Sequence, residues 1–302
     1  MGERLVPAAQ AAELFYFRMR DEDFLLDAVE RMVDGGFYRA AGIGVLERPE
    51  SLRRARRLSE RGFRLTSWTT FYMTERGLCL HAADPALRKR SVRAALELAH
   101  RAAEGGVGDL AFVSGDDPGE AERHAATARL FESLEQICRE MRRYPGMHLL
   151  LEPLDRGAHK NQLIGPTDEA AALVGALNRI HGNAFLVWDS AHIALNREDL
   201  AESLGRFGAL TAQIHLSNAV LDPADPRYGD HHMLCGEPGF LTDETAAELL
   251  KKAAGLPRGA AGEVYVAMES RTLPGGDPVE NERVLRAFLL RALEAAGAGC
   301  PG

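Results

Sequence analysis

MHLLLE at 147–152 and AFLVWD at 184–189 decide how this chain is read. Each is a short run of branched and aromatic apolar side chains that stops on a carboxylate. Such a run marks a strand buried on both faces, the kind that fills a parallel sheet. Outward from these two, the same unit recurs. Earlier runs stand at 13–18 (ELFYFR), 39–46 (RAAGIGVL), 63–69 (FRLTSWT) and 109–115 (DLAFVSG), and later ones at 211–216 (TAQIHL) and 263–269 (EVYVAME). Longer segments with helical period separate them. In the fourth of these, Leu130, Leu134, Ile137, Cys138 and Met141 fall on one helix face. Asp84-Pro85, Asp117-Pro118 and Asp277-Pro278 each set a capping carboxylate before a proline suited to the first helical position. Glu280 follows Asp277 in the spacing of a capping box.

Eight strand–helix pairs in succession predict parallel strands joined by crossover helices. No G-x-G-x-x-G follows the first run, which removes the commonest reason to choose a dinucleotide-binding sheet. The expectation is an α/β protein, a single (β/α)8 TIM barrel over 1–302. No Pro-, Gly- or Ser-rich linker divides it. The long irregular stretches, 153–166, 218–241 and 270–277, are read as rim loops.

Length agrees: 302 residues suit one α/β barrel of about 250 residues plus insertions. At 46% hydrophobic and 26% charged residues, the chain can bury a large core and stay in water. A net charge of -8 argues against a partner with a phosphate backbone and against an anionic membrane surface, so neither nucleic acid nor membrane is expected. Cys79, Cys138, Cys235 and Cys300 form no C-x-x-C pair and read as free thiols of a reducing cytosol, with Cys235 in a His-rich loop. Met1-Gly2-Glu3-Arg4 opens no apolar leader, and no run approaches the roughly 18 residues of a membrane helix, so a cytoplasmic location is expected.

The last four runs end alike. They place Glu152, Asp189, His215 and Glu269 at or near C-terminal strand ends, which in this fold form the active-site rim. Side chains alternate along a strand, so Glu152 shares a face with Leu150, and Asp189 shares one with Val187 and Phe185. If that face is the barrel interior, the four converge. Acidic residues also close strands by capping helices or pairing with Lys and Arg, but four on successive strands point to one centre. Three carboxylates and one imidazole suit Mn²⁺, Mg²⁺, Co²⁺ or Zn²⁺ and do not choose among them.

Five segments, Leu150–Arg156 (LLEPLDR), 187–195 (VWDSAHIAL), 213–218 (QIHLSN), 230–239 (DHHMLCGEPG) and 266–271 (VAMESR), resemble the sugar-phosphate isomerases and epimerases of the xylose-isomerase-like barrel, which share a fold with endonuclease IV. The resemblance implies one catalytic divalent metal on Glu152, Asp189, His215 and Glu269. It makes His192, Asp230 and His232 candidates for a second metal or for substrate contact, and Glu237 a substrate residue. Endonuclease IV also needs histidines at the ends of its third and fourth strands. Here those ends read TSWTTF and AFVSGD, so one metal is expected and DNA repair is not. Ketose 3-epimerases of the family read E-x-x-N-R-x-E; this chain has Ala158 where the last Glu stands, followed by His159 and Lys160. Lys160, Arg271 and the turn Pro274-Gly275-Gly276-Asp277 are candidates for holding an anionic group on the substrate. Trp68 and Trp188, with Phe15 and Tyr16, are candidates for lining a pocket against a sugar ring.

The resulting expectation is a metal-dependent isomerase or epimerase of a small sugar, sugar phosphate or related polyhydroxy carbonyl compound, with Glu152 and Glu269 handling the proton. A dehydratase or other lyase would use the same beginning. A non-catalytic sugar-binding barrel would be expected to have lost one of the four ligands. A homo-oligomer is left open.

Overall fold

The computed structural model describes residues 5–257 and 259–297; Met1–Arg4 and Cys300 lie outside them. Eight parallel strands close into a barrel: β1 (Leu5–Gln10), β2 (Ala40–Gly44), β3 (Arg64–Trp68), β4 (Asp109–Val113), β5 (His148–Glu152), β6 (Ala184–Asp189), β7 (Thr211–Val220) and, after a short β8 (Gly229–Met233), β9 (Val264–Glu269). Closure runs β6–β7–β9–β1. β8 pairs antiparallel with the outer end of β7, where Asn218 faces Met233 and Val220 faces Gly229.

The first strand is LVPAAQ at 5–10, not ELFYFR at 13–18. The latter forms a short helix, Ala11–Leu14, and a 3-10 turn, Tyr16–Arg18. Alanines have low strand propensity, and a proline argues against an interior strand. Tertiary structure reverses both signals. Ala8, Ala40 and Ala267 pack together in the barrel interior, where bulk does not fit. Pro7 still takes part in the ladder, its carbonyl accepting from Arg39 N at 2.9 Å.

Two of the three expected capping carboxylates cap their helices. Asp84 accepts from Ala86 N at 2.9 Å and caps Pro85–Glu104; Asp277 accepts from Val279 N at 2.9 Å and caps Pro278–Ala295. Glu280 turns to Arg283 rather than back to the cap. Asp117 caps nothing: Gly119, at φ 94°, breaks the chain after Pro118, and the helix starts at Glu120. Asp117 instead holds Arg123 at 2.7 Å. Leu130, Leu134, Ile137, Cys138 and Met141 are fully buried on Glu120–Met141.

Two apolar layers result. The outer one lies between strands and helices and contains Trp188, whose indole N–H donates to Ser203 Oγ at 3.1 Å, so Trp188 is core and not pocket. The inner one gathers Ala111, Leu150, Phe185, Val187 and Ala212, with Trp68 against it. Leu150, Phe185 and Val187 therefore point inward. By strand alternation, so do Glu152 and Asp189.

At the opposite end of the barrel, Asp109 is buried and receives Arg64 through Nε at 2.8 Å and Nη2 at 2.6 Å, with Thr66 Oγ1 at 3.2 Å. Burial pushes its carboxyl up, but Arg64 and His148 outweigh that and hold it below the usual carboxylate range. A depressed folded-state value contributes stability above the unfolded value and loses it as pH falls through the folded one. Asp109→Ala is therefore expected to lower unfolding free energy by about 3 kcal/mol near neutral pH, the low end for a broken buried pair because Arg64 is partly exposed. Urea titration at pH 7 and pH 3 should show that deficit shrinking in acid; an equal deficit at both would mean that the charge contributes nothing.

Candidate metal centre

β5, β6, β7 and β9 end on the same rim, and their inward side chains meet there. Each of Glu152, Asp189, His215 and Glu269 is buried and offers one ligand atom, and these atoms all lie within 4.8 Å of one another. Register explains the convergence: Asp189 on β6 is level with His215 on β7, and Glu269 on β9 is level with Ser217 two residues on. His215 Nδ1 lies 3.0 Å from Glu152 Oε1 and 2.7 Å from Glu269 Oε2. Asp189 also caps the helix Ser190–Leu195 through Oδ1, which accepts from His192 N at 3.0 Å, while Ser217 Oγ donates to Oδ2.

Three buried carboxylates around one imidazole are short of positive charge. Burial, with Glu269 and Asp189 adding repulsion against His215, pushes Glu152 up to about 7. Burial likewise raises Asp189. Glu269 goes the other way: burial raises it, but the charges of His215 and His232 outweigh that and pull it well below the ordinary range. Its Oε2, although close to His215, makes no aligned hydrogen bond. A hard divalent cation accepts such oxygen-rich sets and would supply the missing charge. The donor set fits a single ion of that kind.

The centre opens into a cavity of about 230 Å³. Trp68 lines it, with its ring centroid 5.3 Å from that of His215. Lys160, His192, His232 and Arg271 line it too. Both permanent cations are already engaged. Lys160 Nζ lies 3.0 Å from Asp230 Oδ2, and Arg271 pairs with Glu13 while stacking 4.0 Å from the Tyr16 ring. His192 Nδ1 lies 3.2 Å from Asp155 Oδ2, with Nε2 3.7 Å from Asp230 Oδ2. Burial lowers the His192 imidazole, but Asp189, Asp155 and Asp230 outweigh it and push it up to about 10. Asp230 Oδ2 thus gathers Lys160 Nζ at 3.0 Å, His232 Nε2 at 3.5 Å and His192 Nε2 at 3.7 Å into one buried cluster beside the four-residue centre. A different trio, Glu13, His232 and Glu269, comes within ligand range of itself.

Three expectations are corrected. Glu237 is exposed and does not line the cavity, because Asn218 holds its loop against β7: Asn218 Nδ2 donates to Leu234 O and Gly236 O, each at 2.8 Å. Gly239 leaves room for that amide; a Cβ there would lie 2.2 Å from Asn218 Oδ1. The turn 274–277 borders a separate groove with Phe17 and Leu273, and Gly276 N is used within the turn, donating to Leu273 O at 2.9 Å. Phe15 and Tyr16 also border that groove rather than the cavity. Gln10, Glu13 and Asp155 were missed by sequence reasoning. Gln10 and Glu13 follow from the misplaced first strand. Asp155 was visible in LLEPLDR, but only the fold shows that its buried carboxylate receives His159 N and Lys160 N and meets His192.

Residues 26–256 match the family described as xylose isomerase-like TIM barrel. The chain belongs to that family. Solved structures with the same fold include a D-psicose 3-epimerase in the presence of D-fructose, at 12% identity and TM-score 0.68, covering 97% of this chain and 99% of that one. A D-psicose 3-epimerase with D-tagatose from Clostridium cellulolyticum H10 is 14% identical, TM-score 0.64, over 97% and 98%. The IOLI protein with a binding zinc atom is 14% identical, TM-score 0.62, also over 97% and 98%. No curated protein sequence matches the chain. Among the described residues no helix is long and apolar enough to cross a membrane.

Proposed function

We propose that this family member is a divalent-metal-dependent isomerase or epimerase of a small sugar or related polyhydroxy carbonyl compound. The observation that carries the reading is the buried meeting of Glu152, Asp189, His215 and Glu269, two of which, Glu152 and Glu269, line a cavity of about 230 Å³. Support comes from the neighbouring epimerases, whose structures were determined with ketoses.

A bound divalent ion would polarise a substrate carbonyl and so acidify the neighbouring C–H. The chain's own residues do the rest. Glu152 and Glu269 reach the centre from β5 and β9, and both meet the same edge of His215, whose Nδ1 lies 3.0 and 2.7 Å from their carboxylate oxygens. They come from strands three steps apart in the barrel, which suits one to take the proton from the substrate carbon and the other to return it. Trp68 offers an apolar wall to a sugar ring.

Lys160 and Arg271 bear on the charge of the substrate. Asp230 neutralises one and Glu13 the other, so no permanent cation lining the cavity, among the described residues, is left for a phosphate or carboxylate. An uncharged ketose is therefore expected to bind at least about tenfold more tightly than its phosphate ester, a difference of about 1.4 kcal/mol. Isothermal titration of the metal-loaded protein with both decides it, and tighter binding of the ester would restore Lys160 as an anion contact. Lys160→Met is a poor test by itself, because it strips the buried Asp230 of its partner.

Incubation of the Mn²⁺- or Co²⁺-loaded protein with a panel of uncharged ketoses and aldoses, read by carbon NMR, tests the function. Chelator-sensitive conversion of at least one into its epimer or isomer is expected. Elimination products instead would convert the assignment to a lyase on the same centre.

A further inference from the structure

Each oxygen of Glu269 faces a different imidazole. Oε2 lies 2.7 Å from His215 Nδ1, within the centre already described, and Oε1 lies 3.2 Å from His232 Nδ1. Glu13, on the short helix that follows β1, completes a second group: Glu13, His232 and Glu269 each offer one ligand atom, and these lie within 4.8 Å of one another. All three residues line the cavity. Arg271 holds Glu13 through Oε2, which leaves that carboxylate a second oxygen.

His232 is fixed in place by its backbone. Its N–H donates to Asp230 Oδ1 at 3.1 Å, its carbonyl accepts from Arg271 N at 2.8 Å, and its φ is 51°. A non-glycine residue keeps such a left-handed backbone where its surroundings over-determine it. The side chain so presented is buried, the residue only 7% exposed, and Nδ1 makes no aligned hydrogen bond although Glu269 Oε1 is near. A buried imidazole nitrogen calls for a partner. The groups grouped with it here are carboxylates, which when ionised only accept, so the nitrogen's electron pair has no donor among them. A divalent cation would satisfy the nitrogen and both carboxylates at once.

We propose that Glu13, His232 and Glu269 form a second divalent-cation site, joined to the first through the Glu269 carboxylate, which bridges the two ions. The inference rests on the metal reading given above. One imidazole with two carboxylates suits Mn²⁺, Co²⁺ or Zn²⁺, and three protein ligands leave positions open to water or to a substrate oxygen. Two ions sharing a carboxylate form a clamp for two substrate oxygens, which suits a carbonyl with a hydroxyl beside it.

Mn²⁺ titration of chelator-treated protein, followed by equilibrium dialysis and electron paramagnetic resonance, tests the site. Wild type is expected to take two Mn²⁺ per chain, the second producing the spin-coupled spectrum of a carboxylate-bridged pair. Glu13→Gln keeps an acceptor for Arg271 and removes the charged ligand; His232→Gln removes the imidazole. Both variants are expected to keep the first ion and to bind the second more than about 100-fold more weakly, beyond the cost of losing an outer-shell partner. A merely structural ion-pairing role would move the melting temperature and leave the stoichiometry alone. One Mn²⁺ per chain in wild type, lost in Asp189→Ala, would overturn the second site and leave the first standing. Two ions retained in both Glu13→Gln and His232→Gln would place the second ion elsewhere and overturn it as well. Wild-type protein that takes up no metal would remove the first reading together with this one.

Discussion

Asp189→Ala and His215→Ala are expected to lose divalent metal by well over about 100-fold in affinity, more than the loss of an outer-shell partner costs. Each side chain is buried and supplies one of four ligand atoms within 4.8 Å of one another. Asp189 has a second duty: its Oδ1 caps Ser190–Leu195, and a lost cap costs about 1 kcal/mol. Asp189→Asn separates the two duties. It keeps the Oδ1 acceptor for His192 N, presents an amide N–H where Oδ2 stood so that Ser217 Oγ accepts instead of donating, and removes the charge. The metal-free Asn variant should therefore be at least as stable as the metal-free wild type, because one of the crowded carboxylates has been neutralised. What both Asp189 variants should lose is the metal-induced rise in Tm that wild type gains by mass action. Elemental analysis after purification without chelator, together with thermal melts with and without Mn²⁺, reads both effects. Full occupancy in Asp189→Ala and His215→Ala would mean that the ion sits elsewhere.

Glu152→Gln and Glu269→Gln should each reduce turnover by about 10²–10⁴-fold, the range for removing a general acid or base. Gln is close in shape to Glu, so the barrel should survive. The two positions are unlike in the protein itself: burial lifts Glu152 to about 7, whereas His215 and His232 outweigh burial and draw Glu269 down. If one takes the proton from carbon and the other returns it, wild-type turnover in D₂O places deuterium on the product carbon. Each Gln variant should be slow in conversion, and the variant that keeps the abstracting group should still exchange substrate hydrogen. Product free of solvent deuterium under multiple turnover, with internal proton return excluded, would point to a hydride shift and remove the two-glutamate proton mechanism while leaving the centre intact.

Much of this site was legible before the fold was known, for a local reason. A strand buried on both faces must be apolar nearly throughout, so Glu152, Asp189 and Glu269 stand out against LLL, FLVW and VAM. Period-two alternation then fixes which face each shares with its apolar neighbours. The same rule failed at β1, because LVPAAQ is built of small residues and a proline that only a crowded barrel interior makes sensible. With β1 misplaced, Gln10 and Glu13 could not be seen as rim residues. Glu237 was read as a substrate contact, and Lys160 as a candidate anion contact without sight of its carboxylate partner, for a related reason: both lie in loops, and loop side chains take direction from partners far along the chain. Asp230 is 70 positions from Lys160.

By itself, the sequence determined the strand–helix alternation, the barrel class and the four residues offered as ligands, because apolar run length and side-chain parity are properties of neighbouring residues. Only the tertiary structure decided that the four side chains meet within 4.8 Å of one another, that Lys160 and Arg271 are ion-paired, and that Gln10 meets His215 across 205 positions. Those facts depend on register between strands and on barrel closure, which bring together side chains whose separation along the chain carries no periodic signal.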